Sequence, residues 1–466
     1  MSATRGRPVS KLASLIAVVC AIVGGIMLVV PVAELSVQQS KSAGLAIILI
    51  GLFATSRLPE YLTALLFFLI AMLFAVSPPA VVFSGFQSTA LWLVFGGLVI
   101  GMALSSTGLG KRIAITIARY LKGSYRSLII GMSLVGLAFA FLMPSGMGRL
   151  VLLVPIAVEI ARQFGFREGS NGRTGIVLAT ILGSFFPAFA ILPANVPNMV
   201  FVGMAESQFG ISLLYGEYLL LHFPVLGGLK LVLIVLVILW LYPDKPNALG
   251  EGSAGVAADF SRDERILSSV LVLSLLFWIT DFAHHISPAW IGLAAALFLL
   301  MPRVGVVSHA DFNTRINFSS LFFVAGVIGL GIMIVDSGLA SLFGGRLVEL
   351  LPLHRDMPFV NFMSVMFAAS LTGLIATLAG VPAIVSPLVE EIAAVTGLPV
   401  KSVLMMQVLG FSTMLLPYTS PPVVVALQIA GIRLAEITKP TVILAGLSFV
   451  VLAPIDFLWW RLLGWL

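Results

Sequence analysis

Two prolines and two asparagines interrupt an apolar stretch that runs from Ile176 to Met204, in the order Pro193-Ala194-Asn195-Val196-Pro197-Asn198. Proline has no N–H to donate and its ring collides with the preceding turn, so a regular helix cannot run through this segment. Unwinding frees carbonyl oxygens, which can coordinate a cation. It also creates a half-helix N-terminus, whose free N–H groups and dipole favour an anion. A second such segment reads Pro417-Tyr418-Thr419-Ser420-Pro421-Pro422. Proline suits the first helical position, so each copy restarts a half-helix after its break.

Two more apolar stretches are broken near their middles. Met143-Pro144-Ser145-Gly146 interrupts residues 128–161, and Leu378-Ala379-Gly380-Val381-Pro382 interrupts residues 359–393. Each stretch is long enough for two half-spans and a turn. Irregular backbone survives at membrane depth only where protein or a cavity satisfies it, so both read as re-entrant hairpins. Ser145 and Thr377 hold equivalent places, ten residues before Pro155 and Pro387, and each offers a hydroxyl beside a helix break. Arg149, four residues past the first turn, is either an anion ligand or a packing counter-ion. Glu159, Glu390 and Glu391 read as interfacial or structural charges, and Asp336 as a capping or interfacial group. His284 and His285 form a pair without further ligands and do not read as a metal site.

These breaks belong to a chain that repeats itself. Leu91, Val94, Gly96, Gly101, Gly108 and Leu109 match Leu321, Val324, Gly326, Gly331, Gly338 and Leu339. Pro155, Glu159, Ala161 and Gly165 match Pro387, Glu391, Ala393 and Gly397. Duplicated halves with interrupted apolar segments at matching positions mark secondary transporters, whose site lies where the halves meet. Other spanning candidates, at about 20 apolar residues each, are 12–32, 43–56, 60–76, 90–108, 174–205, 215–241, 266–283, 289–302, 319–338, 400–432 and 441–461. Segments 43–56 and 289–302 are short and weak.

Composition agrees. The chain is 59% hydrophobic and 10% charged, with a mean hydropathy of +1.11. Soluble domains carry about 25% charged residues, so the chain reads as a polytopic membrane protein. Its single cysteine, Cys20, precludes an internal disulfide and reads as a small buried hydrophobe. The basic residues lie in short loops. With Arg5, Arg7 and Lys11 cytoplasmic, the basic stretches Lys111–Arg126, Arg162–Arg173, Asp244–Arg265, Arg303–Arg315 and Arg433–Lys439 all fall inside, and Arg346 and Arg355 are the exceptions outside. This is the positive-inside pattern, and it puts the C-terminus outside. The segments 90–108 and 319–338 then cross in opposite senses, so the repeats are inverted. No Walker motif, histidine cluster or nucleophilic cysteine setting is present, and no enzymatic chemistry or nucleic-acid partner is expected.

The helix ending Ser106-Thr107-Gly108-Leu109-Gly110-Lys111-Arg112-Ile113-Ala114, followed by a hairpin and a proline-broken helix and then repeated inverted, resembles the divalent anion:sodium symporters, carriers of dicarboxylates, citrate and sulfate. The resemblance spans about Leu91 to Ala430. It implies an elevator-type transporter, usually a homodimer, with sodium at each hairpin turn and the anion between the turns. The implied substrate contacts are Ser145, Gly146, Met147, Arg149, Asn198, Thr377, Leu378, Ala379 and Pro422. The implied cation contacts are Ser145, Asn195, Thr377, Thr419 and Ser420, with sodium as coupling ion and no other cofactor or metal. The chain departs from the family where its Ser-Asn-Thr hairpin signature becomes Ser145-Gly146-Met147 and Thr377-Leu378-Ala379. Met147, Leu378 and Ala379 make the pocket less polar, which favours a substrate with an organic part.

The expected architecture is all-α, with about 11 transmembrane helices plus two re-entrant hairpins. Residues 1–89 form scaffold helices, 90–241 the first repeat, 242–265 a cytoplasmic linker, 266–318 connecting helices, and 319–466 the second repeat with the C-terminal helix. The expected activity is sodium-coupled symport of a dicarboxylate, sulfate or related anion across the inner membrane. A proton- or cation-coupled antiporter or oxyanion exporter is the alternative.

Overall fold

The protein is described by a computed structural model covering residues 11–32, 34–55, 57–119, 124–245, 259–339, 342, 350–375 and 377–466. The basic residues Arg5, Arg7 and Arg346, and most of the expected linker, lie outside the described residues. Helices account for nearly all regular structure, and there is no strand among the described residues. Six of the described helices are long and apolar enough to cross a bilayer, the longest being Tyr215–Leu241 and Leu434–Leu462. Among the shorter apolar helices, Pro358–Leu374, Val400–Phe411 and Pro421–Ala430 adjoin the predicted breaks.

The first hairpin is the pair Tyr125–Leu142 and Gly146–Gln163. The second is Pro358–Ile375 followed by Val381–Val385, a 3-10 turn at Ser386–Leu388, and Val389–Thr396. The matching prolines thus behave differently. Pro155 is absorbed within one helix. Pro387 sits in the 3-10 turn, where Ser386 receives a hydrogen bond from Gln407 Nε2 at 3.1 Å. The first broken helix runs Asn171–Phe185, then two 3-10 turns, then Val196–Phe209. The second runs Val400–Phe411, a 3-10 turn at Pro417–Thr419, and Pro421–Ala430. The weak spans are helical as well: Val37–Thr55 and Pro288–Leu300.

The glycines of the repeat have a packing reason. A Cβ at Gly96 would stand 2.6 Å from the main chain of Gly292, and one at Gly326 would stand 2.6 Å from Ala64 Cβ. Small residues of this kind let membrane helices approach closely. Gly101 and Gly331 face the hairpins instead, the former against Met143 and Ser145, the latter against Met204 and the Ala383 carbonyl. Gly108 and Gly338 end their helices at φ +77° and +76°, a left-handed conformation that glycine adopts without a Cβ clash.

Two apolar cores result. One joins hairpins, broken helices and the long flanking helices. A smaller one belongs to the N-terminal helices packed on Phe318–Asp336, through Leu45, Leu49, Phe67, Val82, Ala325 and Met333. The hairpins and breaks therefore sit in a body whose packing is distinct from that of the N-terminal helices.

Candidate functional site

Both hairpin turns and both helix breaks converge on one cavity of about 600 Å³. From the first hairpin come Ser145, Gly146, Met147 and Arg149. From the second come Thr377, Leu378 and Ala379. The breaks supply Asn195, Thr419, Ser420 and Pro422. Residues separated by more than 200 positions in sequence are thus assembled as the repeat pattern requires.

The two turns are built differently. Ser145 has an extended backbone, φ −141° and ψ 106°, and its hydroxyl caps the following half-helix by accepting from Gly148 N at 3.2 Å. Capping of this kind satisfies one of the orphan N–H groups of a helix start. Thr377 makes no such bond. Its Oγ1 is buried and has no hydrogen-bond partner, and Glu60 lines the same cavity.

Arg149 dominates the first turn. It is 1% exposed. Its Nη1 donates to Met143 O at 2.6 Å and to Ala194 O at 2.7 Å, and its Nε donates to Ser184 Oγ at 3.2 Å. A longer contact of 3.5 Å joins Nη2 to Ser184 O. Most of its five N–H groups are therefore spent on the protein. The guanidinium ties the hairpin turn to the break facing it and fixes a positive charge there. Nη2 lies 3.8 Å from where a Cβ at Gly146 would stand, on the cavity side. The position matching Arg149 in the second hairpin is Val381, so the device is not duplicated.

Asn195 begins the restarted half-helix, its Oδ1 accepting from Asn198 N at 2.9 Å. Its Nδ2 is buried without a partner. Asn198, expected as a substrate contact, does not line the cavity. It is 0% exposed, and its Nδ2 reaches Ala188 O at 3.3 Å, Phe189 O at 3.2 Å and Ile191 O at 2.9 Å. The reason is physical: the 3-10 turns free carbonyls at membrane depth, and an internal donor must satisfy them. In the second break Thr419 Oγ1 returns to Leu416 O at 2.7 Å, while Ser420 begins the half-helix without a side-chain cap.

Several cavity residues escaped the sequence reading. Glu60 and Tyr61, at the start of a scaffold helix, reach the cavity, as do Arg315 and Asn317. Arg315 is held by Asp311 at 3.1 Å. Phe185 and Phe189 form an apolar wall, their ring centroids 5.2 Å apart and nearly perpendicular. Glu60 was detectable as a carboxylate opening an apolar span. Of the other charges, Glu159 is paired with Arg162 at 2.7 Å, exposed Asp336 receives Gln38 at 3.5 Å, and Glu391 keeps Oε2 buried without a partner. Among the described residues there is no group of three or more metal-ligating side chains.

Known proteins resemble this chain in sequence and in fold. The profile of the sodium:sulfate symporter transmembrane region matches residues 9–466. A membrane protein of Cupriavidus necator is 26% identical over 397 residues, covering 82% of this chain and 76% of the relative. The L-tartrate/succinate antiporter of Escherichia coli strain K12 is 25% identical over 407 residues, covering 81% of this chain and 79% of the antiporter. In three dimensions the YdaH transporter of Alcanivorax borkumensis superposes with a TM-score of 0.56, covering 97% of this chain and 98% of the transporter at 13% identity. That last likeness is one of fold.

Proposed function

The chain belongs to the sodium:sulfate symporter family, and from that premise we propose that it exchanges small organic dianions, of the size of succinate or tartrate, across the membrane. Family membership makes it a multi-pass anion transporter rather than an enzyme. The proposal concerns which anion and by what coupling.

The observation that carries it is Arg149. A coordinated sodium at the first hairpin would take main-chain carbonyls of the turn and of the facing break. Here the guanidinium takes them, at Met143 O and Ala194 O. A permanent cation needs no ion gradient to fill the place, and it leaves the anion as the only mobile charge at that turn. Each return step then needs a second anion, which is exchange. The relatives named L-tartrate/succinate antiporter support the same reading, and the cavity's apolar wall of Phe185 and Phe189 beside Met147 suits a carbon skeleton.

A second reading is sodium-coupled symport, favoured by the second hairpin. Thr377 Oγ1 is buried and unpartnered there, and Val381 stands where an arginine would be. One sodium at that turn would give symport with a single coupling ion. In either case the hairpins and breaks move as a unit against the N-terminal helices. The proposal retains a homodimer, an inner-membrane location, a cytoplasmic N-terminus and an external C-terminus.

Purified protein in liposomes separates the readings. Under exchange, labelled succinate or tartrate enters only vesicles loaded with an unlabelled dianion, and sodium makes no difference. Sodium-driven accumulation in unloaded vesicles would establish symport instead.

A further inference from the structure

Away from the cavity, the two longest helices each carry a π-helical turn. One is Phe223–Leu229, between His222 and Lys230. The other is Ser448–Leu452, ahead of Asp456 and Trp460. Turns of this kind cluster at functional sites. Here they pack against one another and enclose a group of polar side chains that anion recognition does not use.

Asp456 is 0% exposed, and neither carboxyl oxygen has a hydrogen-bond partner. His222 is 0% exposed with both ring nitrogens unpartnered. Trp460 lies one turn beyond Asp456 on the same face. Its indole N–H has no hydrogen-bond partner, and its ring centroid is 5.6 Å from that of His222. Lys230, also buried, is the charge that acts on Asp456. Its Nζ donates to Ser412 O at 2.9 Å and lies 4.5 Å from the centre of the Phe186 ring. Ser412 closes the first half of the second broken helix, so this ammonium touches one break through its hydrogen bond and the edge of the other through the ring.

We propose that Asp456, on the helix after one π turn and opposite the other, which Lys230 and His222 flank, is a proton-binding site linked through Lys230 to the second broken helix. Ionisable side chains buried at membrane depth are expensive and mark proton relays in transporters. A carboxylate with no donor here is matched only by the Lys230 charge, whereas a protonated Asp456 leaves that charge unbalanced. Any movement of Ser412 changes how well Lys230 compensates the carboxylate. By linkage, the protonation of Asp456 then changes the energy of that movement.

The other neighbours do not compete. Tyr218 donates to Phe189 O at 2.7 Å, and Glu217 is held by Lys401 at 2.6 Å. Tyr215 is stacked on Trp278, their ring centroids 5.8 Å apart. Pro358–Ile375, packed on the Asp456 helix, carries no titratable side chain. Glu436 and Lys439 lie near the opposite end of the preceding helix, and Arg461 is on the exposed side.

The inference rests on the chain being an anion transporter but not on exchange over symport. Infrared spectroscopy of the purified protein at neutral pH should show a carbonyl band of a protonated carboxylic acid that Asp456→Asn removes and Asp456→Glu displaces. The glutamate variant decides the assignment if the asparagine variant does not fold. With whichever dianion gives counterflow, transport by wild type should depend on pH, and Asp456→Asn should flatten that dependence while retaining exchange. A band and a pH profile unchanged in the variants would overturn the proposal. Absence of counterflow with every dianion would count against the transport reading, while the infrared comparison would still decide the proton site.

Discussion

Arg149 Nη1 lies 2.7 Å from the carbonyl oxygen of Ala194, joining the first hairpin to the broken helix 45 positions later in the chain. The same nitrogen donates to Met143 O at 2.6 Å. Removing the side chain takes the donor from Ala194 O in a buried setting, at about 1–3 kcal/mol, and leaves Met143 O with Ser145 N alone, at 2.7 Å. Arg149→Ala should therefore lower thermal stability in detergent and reduce sodium-free exchange by at least about tenfold, the equivalent of 1.4 kcal/mol. Sodium should partly restore transport by the variant, because the vacated carbonyls suit a small cation. A variant that exchanges as well as wild type without sodium would sink the built-in-cation reading.

The two hairpin hydroxyls should separate into different phenotypes. Ser145 Oγ is engaged with Gly148 N at 3.2 Å, so Ser145→Ala removes a helix cap and costs about 1 kcal/mol of stability. Thr377 Oγ1 bonds to nothing, so Thr377→Val keeps the shape and should leave stability unchanged. If that hydroxyl binds the charged substrate or its coupling ion, its loss is worth about 1.5–3 kcal/mol. Transport kinetics should then show KM raised by about tenfold or more. A destabilised Thr377→Val with normal KM would show the hydroxyl to be structural.

Asn198 makes the contrasting case. Its amide N–H groups serve three carbonyls of the unwound segment, so its role is to hold the break. Asn198→Asp replaces the donor with an acceptor facing those carbonyls and should destabilise more than Asn198→Ala. The loss should show in thermal unfolding, with the KM of the surviving protein near normal. Raised KM at unchanged stability would return Asn198 to the substrate site.

What could be read from the sequence follows from what leaves a local trace. Helix breaks are legible because proline cannot donate, and the inverted repeat because Gly96, Gly101 and Gly108 recur as Gly326, Gly331 and Gly338. The convergence of Ser145, Thr377, Asn195 and Ser420 followed from the repeat pattern. The function of Asn198 did not, because an asparagine beside a break can serve either the ligand or the backbone, and only geometry tells which. The π turns did leave a trace, Pro224 with Gly227 and Gly228 in one and Pro454 just past the other, but neither recurs in the repeat pattern that drew attention to the other breaks. Glu60 was visible as a carboxylate opening an apolar span, but its place at the cavity was not, because it comes from a scaffold helix that has no part in the hairpin pattern.

A pH effect on stability should come from the membrane surface, at Glu264. This carboxylate takes Arg112 Nε at 2.7 Å and Nη2 at 3.0 Å, and it closes a capping box with Ser261 at the start of the helix Arg262–Ile279. The Arg112 bonds hold it below the ordinary carboxylate range, against the burial that pushes it upward. The folded-state value is thus depressed relative to an unfolded value of about 4.3. Stability from such a group is fully present above the unfolded value and is lost as pH falls through the folded one. Wild type should lose thermal stability as pH drops below about 4.3, and Glu264→Gln should be less stable at neutral pH with a flatter acid limb. The glutamine cannot ionise, so its curve lacks this group's share of the slope. Melting temperatures of both proteins across that range are the check, and parallel curves would mean that the ion pair contributes nothing.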